Sequence, residues 1–153
     1  MKASPPLPIG QLLGRMLRSF RRDLYRRAQE AGYHNIREAH LQVFGAIDWG
    51  GTRLTELAAR ANMTRPSMIE LVDELEDMGY LERRPDPSDG RAKLIRLTHK
   101  GRRILAEALR AVEDIERGYA EAVGAERFDA LVATLQALLD AQSEDWHSNA
   151  TQD

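Results

Sequence analysis

The hydrophobic periodicity of the sequence changes abruptly at Gly79, and this change constrains the fold more than any other feature. Before Gly79, apolar residues recur three or four positions apart, as on one face of an α-helix. After it, residues 80–84 and 93–98 are two short extended runs, separated by six residues that favour turns, Pro85-Asp86-Pro87-Ser88-Asp89-Gly90. The pattern predicts a β-hairpin with a long polar tip inside an otherwise helical chain.

Six helices are predicted outside the hairpin. Thr64 can cap the fourth of them with its hydroxyl, and Pro66 lies in the first turn, where its missing N–H has no cost. Gly79 ends that helix, and Thr98 can cap the next one. The predicted helices cover residues 9–31, 37–49, 55–61, 64–78, 99–123 and 126–145.

Length and composition exclude several classes of protein. The 153 residues suit one domain, or one domain with an intertwined dimerisation part. The absence of cysteine excludes disulfides, thiolate zinc sites and cysteine nucleophiles. The four histidines lack short metal-ligand spacing, so neither a metal nor another cofactor is expected. No apolar run approaches the roughly 20 residues of a membrane span, and the N-terminus lacks a signal-peptide core, so we expect a cytoplasmic protein without membrane association.

The charges are distributed unevenly, although the net charge is only −2. Residues 81–103 carry eight basic and three acidic side chains, whereas the chain after Arg110 is mostly acidic. A basic patch on an acidic body is what a local DNA contact requires. A solvated, charged hairpin would give the same pattern, so charge alone leaves both interpretations open.

Residues 52–98 follow the order of a winged helix-turn-helix DNA-binding domain: a short helix, a tight turn, a second helix and a hairpin. In such domains the second helix presents its N-terminal turns to the major groove. Met63 is expected to fill the turn, and Arg65 can bond guanine through two hydrogen bonds. A capped, solvated helix start is the alternative. The predicted contacts on this helix are Thr64, Arg65, Ser67 and Ile69.

The hairpin tip supplies a second predicted contact. Arginine side chains fit narrow minor grooves, where the negative potential of DNA is strongest, and Arg91 lies at the tip. Asp89 is close enough in sequence to orient the Arg91 side chain by a charge-assisted hydrogen bond. An ordinary hairpin loop is the competing interpretation of these residues.

Four segments resemble the MarR (multiple antibiotic resistance regulator) family: Leu54–Ala58, Leu71–Arg83, Asp86–Ala92 and Leu97–Gly101. The resemblance implies a homodimer with interlocked N- and C-terminal helices that binds pseudo-palindromic double-stranded operator DNA, usually as a repressor. It also implies release of the DNA when a small, frequently aromatic acid binds between the dimerisation and DNA-binding parts. On this chain the dimerisation helices would be residues 9–48 and 99–146.

The resemblance also implies roles for single residues. The recognition-helix contacts fall on the four residues named above, and the wing arginine falls on Arg91 with Asp89 as its supporting acid. Two positions depart from the common family pattern. Glu70 stands where many members have a basic residue, and Gly90 stands where many have arginine. The first departure removes an expected phosphate contact, and the second is expected to loosen the wing.

An effector pocket is expected near the first two helices, with polar or aromatic residues in its lining. The candidates are Arg21, Tyr25, His40 and Trp49. Core packing is the alternative for Trp49, and a surface or interface position is the alternative for His40.

Two other functional classes compete with a regulator. An enzyme is not expected, because the sequence lacks a phosphate-binding loop, a dinucleotide fingerprint, a serine-nucleophile elbow and a metalloprotease motif. The second rival is a winged-helix protein-interaction module without DNA binding. Glu70 and the net acidity favour that module, whereas Arg65 and Arg91 oppose it. The sequence leaves open the operator, the regulated genes, the existence and identity of an effector, and the choice between repression and activation.

Overall fold

The computed structural model describes residues 6–149, and the chain divides into two compact units, Met1–Val112 and Glu113–Asp153. The described part is mainly helical with a small antiparallel sheet, which confirms the predicted fold class. The helices are α1 (Ile9–Glu30), α2 (Glu38–Ala46), α3 (Leu54–Arg60), α4 (Arg65–Asp77), α5 (His99–Val123) and α6 (Ala125–Asn149). The strands are β1 (Thr52–Arg53), β2 (Leu81–Asp86) and β3 (Asp89–Leu97).

Local sequence signals define the ends of the central helices. The Thr64 hydroxyl accepts a hydrogen bond from the Ser67 N–H at 3.3 Å, so the predicted N-cap of α4 is confirmed. Gly79 ends the same helix with a positive φ of 78°, a conformation that glycine adopts without a steric cost. Helix α5 has the predicted bounds, whereas α2 ends three residues early because Ile47 is already extended.

The predicted long polar tip of the hairpin is wrong. Strand β2 continues to Asp86 and β3 begins at Asp89, so only two residues form the turn. Asp86 explains the difference, because its buried carboxylate accepts both the N–H and the hydroxyl of Ser88, at 2.9 and 2.7 Å. In the pairing of β2 with β3, Asp86 lies opposite Asp89, and its neighbour Pro85 lies opposite Lys93. Residues 90–92 of β3 are therefore extra residues without a partner on β2, as in a β-bulge.

Strand β1 was not predicted, because two residues are too short to show a periodicity. Thr52 pairs with Ile95 of β3, which places β3 in the centre of a three-stranded sheet. The Thr52 side chain is buried, and its hydroxyl accepts the Asp48 N–H at 2.9 Å. This hydrogen bond closes the turn between α2 and β1.

The core of the first unit lies between α2, α3, α4, the sheet and the start of α5. Met63 packs against this core, as predicted for the residue that fills the turn between α3 and α4. The rings of Phe44 and Tyr80 meet edge to face at 6.1 Å between centroids. The most deeply buried apolar side chains are Ile36, Val43, Leu57, Met68, Val72, Leu75, Tyr80, Leu81 and Ile95.

The start of α5 is packed directly on the end of α4 and the start of β2. A β-carbon at Gly101 would lie 2.0 Å from the carbonyl oxygen of Tyr80, so this position has room only for glycine. The Thr98 hydroxyl accepts the Gly101 N–H at 3.1 Å and donates to the carbonyl of Gly79 at 2.6 Å. The Lys100 ammonium donates to the Met78 carbonyl at 2.7 Å and lies over the Tyr80 ring. These contacts explain why threonine and glycine stand at positions 98 and 101 of the segment Leu97–Gly101, one of the four that resemble the MarR family.

Gly101→Ala should therefore destabilise the protein. The new methyl group would overlap the carbonyl oxygen of Tyr80, which belongs to the backbone and cannot move aside easily. We therefore expect the free energy of unfolding to fall by about 3 kcal/mol, the upper end of the usual cost of overpacking. Urea unfolding followed by circular dichroism measures the change. Gly118→Ala in the same helix is the control, because a β-carbon there meets no atom within 4 Å. Equal stability of the two variants would contradict the packing argument.

Candidate nucleic-acid interface

The N-terminal turn of α4 is exposed and carries a cation without a partner. Thr64 and Ser67 hold each other by the backbone cap and by a 2.9 Å hydrogen bond between their hydroxyls. Arg65 is exposed, and no acidic side chain of residues 6–142 pairs with it. Ile69 is half-buried, one turn further along the helix, and Glu70 beside it is exposed. The turn therefore offers a guanidinium and two hydroxyls to an anionic partner.

Arg91 is also exposed and belongs to the three extra residues on β3. Its backbone N–H donates to the Asp89 carboxylate at 3.1 Å. Asp89 therefore holds the main chain of Arg91, whereas the sequence predicted a bond to its side chain. The guanidinium has no acidic partner among the residues that the structure describes.

Arg53 and Asp86 hold the wing to the rest of the domain, and neither was predicted as a functional residue. The Arg53 Nε donates to the Asp86 carboxylate at 2.8 Å, and a terminal nitrogen lies 2.6 Å from the same oxygen. The two hydrogen bonds from Ser88, followed by Arg53, lower the pKa of Asp86 to about 2. Because the partners are 33 residues apart in sequence, no local pattern could show this ion pair.

Two of the eight basic side chains in residues 81–103, Arg83 and Arg84, form ion pairs within the domain. Arg83 forms ion pairs with Asp73 and Glu76 of α4, and the pKa of its guanidinium is raised by these partners against the opposing effect of burial. Arg84 pairs with Glu82 at 2.8 Å. The charge count of the sequence therefore overstates the positive potential available to DNA. The exposed guanidinium of Arg91 is one cation that remains available at the wing.

A cavity of about 640 Å³ lies in the first unit between α1, α2, the end of α3 and the start of α5. Arg60 reaches its wall, but its guanidinium is bonded to the Ala46 carbonyl, Asp48 and Glu56. Arg21 is half-buried in the wall and has no acidic partner in the described part of the chain. The apolar residues of the wall are Leu17, Phe20, Leu24, Leu41, Phe44, Leu105, Ala108, Leu109 and Val112.

The structure separates the four predicted pocket residues. Arg21 lines the cavity, whereas Tyr25, His40 and Trp49 are not among its lining residues. His40 is buried and hydrogen-bonded to α4, and Trp49 lies in the turn after α2 with 49% of its surface exposed. The sequence missed Arg60 and Gln42 in the wall, because neither belongs to an apolar stripe.

Within residues 6–149, no helix is long and apolar enough to cross a membrane. Among the side chains of residues 6–142, no three histidine, aspartate or glutamate residues are grouped in a way that could hold a metal ion.

Comparison with known sequences identifies the central segment. The profile of the MarR family matches residues 47–93, which run from the end of α2 to the start of β3. An HTH-type transcriptional regulator of Mycobacterium leprae is 36% identical over 58 residues, and one of Mycobacterium tuberculosis matches equally well. The matched segment covers 38% of this chain and about two fifths, 41%, of the length of each of these relatives.

Comparison with solved structures extends the similarity over most of the chain. The transcriptional repressor CouR bound to a 23-mer DNA duplex is 28% identical, with a TM-score of 0.70 over 86% of this chain and 92% of that one. CouR from Rhodococcus jostii RHA1 bound to p-coumaroyl-CoA is 29% identical, with a TM-score of 0.70 over 85% and 90% of the two chains. Wild-type MarR from E. coli, at 24% identity, has a TM-score of 0.68 over 90% and 98%, and shows the shared fold.

The sequence resemblance to the MarR family is thus confirmed by a profile match across the helix-turn-helix and by structural similarity over more than four fifths of the chain. The curated relatives are transcriptional regulators. The chain therefore carries a MarR-family segment at residues 47–93 and is similar in fold to solved MarR-family regulators.

Proposed function

We propose that the protein is a homodimeric transcription regulator that represses by binding a pseudo-palindromic operator and releases it when a small acidic effector binds. The proposal of DNA binding rests on one observation. Arg65 on the first turn of α4 and Arg91 on the wing are exposed and unpaired in the described part of the chain, whereas Arg83 and Arg84 form ion pairs within the domain. The similarity to CouR, whose structure was determined with a DNA duplex, supports this proposal.

In this proposal the first turns of α4 enter the major groove. Arg65 reads guanine through two hydrogen bonds, and the Thr64 and Ser67 hydroxyls reach phosphate or base edges. Ile69 contacts apolar base atoms such as a thymine methyl group. Arg91 enters the adjacent minor groove, and Asp89 supports it by fixing its backbone.

The dimer supplies the second half-site. Several large apolar side chains of α1 and α6 are roughly half exposed, which a second copy of the chain would cover. Residues 9–30 carry six arginines and two acids, whereas residues 113–149 carry nine acids and two arginines, so the helices at the two ends of the chain have opposite charge. We assign dimerisation to residues 9–48 and 99–146. The exposed apolar residues are Ile9, Leu12, Leu13, Met16 and Leu17 of α1, and Leu131, Val132, Leu138 and Leu139 of α6.

The cavity suggests the class of effector. A volume of about 640 Å³ is in the usual range for small-molecule sites, and the wall is mainly apolar. Arg21 is a cation in this wall that no described acid neutralises, so a molecule with an aromatic body and a carboxylate would suit it. CouR was determined with p-coumaroyl-CoA, an aromatic acyl derivative, which supports an aromatic effector here.

The effector would act by changing the distance between the two recognition helices. Two half-sites one helical turn apart require a spacing of about 34 Å. Helix α5 begins directly after the wing, so a rotation of α5 would move the wing. An effector that prefers a different spacing lowers DNA affinity by linkage.

Arg91→Ala tests the wing contact. We expect operator binding to weaken by roughly 1–3 kcal/mol, because the variant loses a guanidinium in the groove. Fluorescence anisotropy measures it, on an operator selected from a random duplex library by the wild-type protein. Arg84→Ala is the matched control on the same hairpin and should change the affinity less, because Glu82 already pairs with Arg84. An unchanged affinity in a folded Arg91→Ala dimer would reject the assigned role.

Arg21→Leu tests the effector site. The concentration of an aromatic carboxylate needed to release the operator should rise about tenfold, because one charged hydrogen bond is lost. The probes are benzoate, p-coumarate and their primary amides, and the amides should depend little on Arg21. Arg22→Leu is the control, since Arg22 is exposed and does not line the cavity. If both variants respond to the acids like the wild type, the cavity is not the effector site.

A further inference from the structure

His40 connects helix α2 to the recognition helix α4 through two directional hydrogen bonds. The side chain is 1% exposed. Its Nδ1 accepts the Arg37 N–H at 2.9 Å, at the free N-terminus of α2. Its Nε2 lies 2.7 Å from the Glu74 carboxylate on α4. Because Nδ1 accepts a hydrogen bond, the proton of the neutral ring is on Nε2 and is donated to Glu74.

This connection acts on the same rigid helix that carries the proposed DNA contacts. Glu74 lies in the last turn of α4, nine residues after Arg65, and Arg37 also donates to it. Apolar contacts between α2 and α4 allow small sliding movements, whereas a hydrogen bond to a buried ring has a direction. The contact at Glu74 therefore ties the last turn of α4 to the start of α2.

We propose that His40 is a positioning residue for DNA recognition, and that its neutral form holds α4 in the orientation that binds operator. Protonation of the ring would then weaken operator binding. This inference rests on the proposed DNA-binding function and adds to it a proton-dependent control.

The direction of the effect follows from the groups around the ring. A second proton on Nδ1 would face the Arg37 N–H, so two donors would meet and the cap of α2 would be lost. Burial first, and then the charge of Arg37, lower the pKa of His40 below its usual value of 6.5, while Glu74 opposes this shift. Glu70, also on α4, acts on Arg37. The neutral ring therefore stabilises the fold fully above pH 6.5, and this contribution is lost as the pH falls through the lowered pKa.

Helix α2 also forms part of the cavity wall. Leu41 and Gln42, directly after His40, are lining residues. A proton at His40 and a molecule in the cavity would thus act on α4 through the same short helix.

The test is operator affinity as a function of pH at constant ionic strength, measured by fluorescence anisotropy from about pH 8 to about pH 4.5, because the pKa of His40 lies below the usual histidine value and the range must pass through it. The wild type should lose affinity roughly fivefold or more on acidification, within the usual range of coupling between sites. His40→Gln should show a flat profile, because the amide N–H can replace the Nε2 donor but gains no charge. His34→Gln is the matched control at an exposed histidine and should keep the wild-type profile.

A measurement on the unmodified protein covers the case in which His40→Gln does not fold. The ¹⁵N resonances of the imidazole rings report the tautomer and the pKa of each histidine. We expect the Nε2-protonated form at His40, with a pKa that falls further when operator is bound.

Three results would overturn the inference. One is the same affinity loss in His40→Gln and the wild type, and another is a His40 pKa that operator does not change. An affinity of the wild type that is independent of pH would also overturn it while leaving the proposed function intact. Failure of the wild type to bind any selected duplex at any pH would reject the proposed function, and this inference with it.

Discussion

The close contact between Gly101 and the carbonyl oxygen of Tyr80 is the constraint on which the arrangement of the first unit depends. Since a β-carbon would lie 2.0 Å from that oxygen, only glycine allows α5 to start where it does. The Thr98 hydroxyl and the Lys100 ammonium bond the carbonyls at the end of α4. This junction therefore holds the end of α4, the start of β2 and the start of α5 together. A displacement of one of these elements would strain its contacts with the other two.

The internal ion pairs determine which basic side chains are available to an anionic partner, such as the DNA of the proposed function. In a chain with a net charge of −2, a useful interface requires selected cations to stay unpaired while others are neutralised. The Arg83 pairs with α4 and the Arg53–Asp86 pair both stabilise the wing, and both withdraw positive charge from its surface. Arg65 and Arg91 have no such partner among residues 6–142. Arg65 and Arg91 are thus two exposed cations that remain available to an anionic partner.

Local signals in the sequence predicted the helices and their ends well, because caps and glycine stops act within a few residues. Thr64, Gly79 and the bounds of α5 are examples. Contacts between distant segments could not be predicted in this way. Strand β1 exists only because β3 offers it a partner, and the Arg53–Asp86 ion pair that holds the wing joins residues 33 positions apart.

The site residues show the same division. The candidate DNA contacts lie on a helix start and a hairpin that the sequence marks clearly, and the structure exposes Arg65 and Arg91 there. The cavity is built from four helices, so the sequence identified Arg21 but missed Arg60. His40 had no sequence signal for its role, because its partner Glu74 is 34 positions away on another helix.

Binding of the wild-type protein to its upstream intergenic DNA, at two salt concentrations and against unrelated competitor duplex, tests the central claim most directly. A DNA-binding dimer should bind with two chains per duplex, resist the competitor and lose affinity steeply with salt, because phosphate contacts release counterions. If the protein does not prefer the upstream duplex over the competitor, the test is repeated with a duplex selected from a random library. Binding without preference for any duplex, or the absence of binding, would contradict the claim and favour a winged-helix module that binds protein.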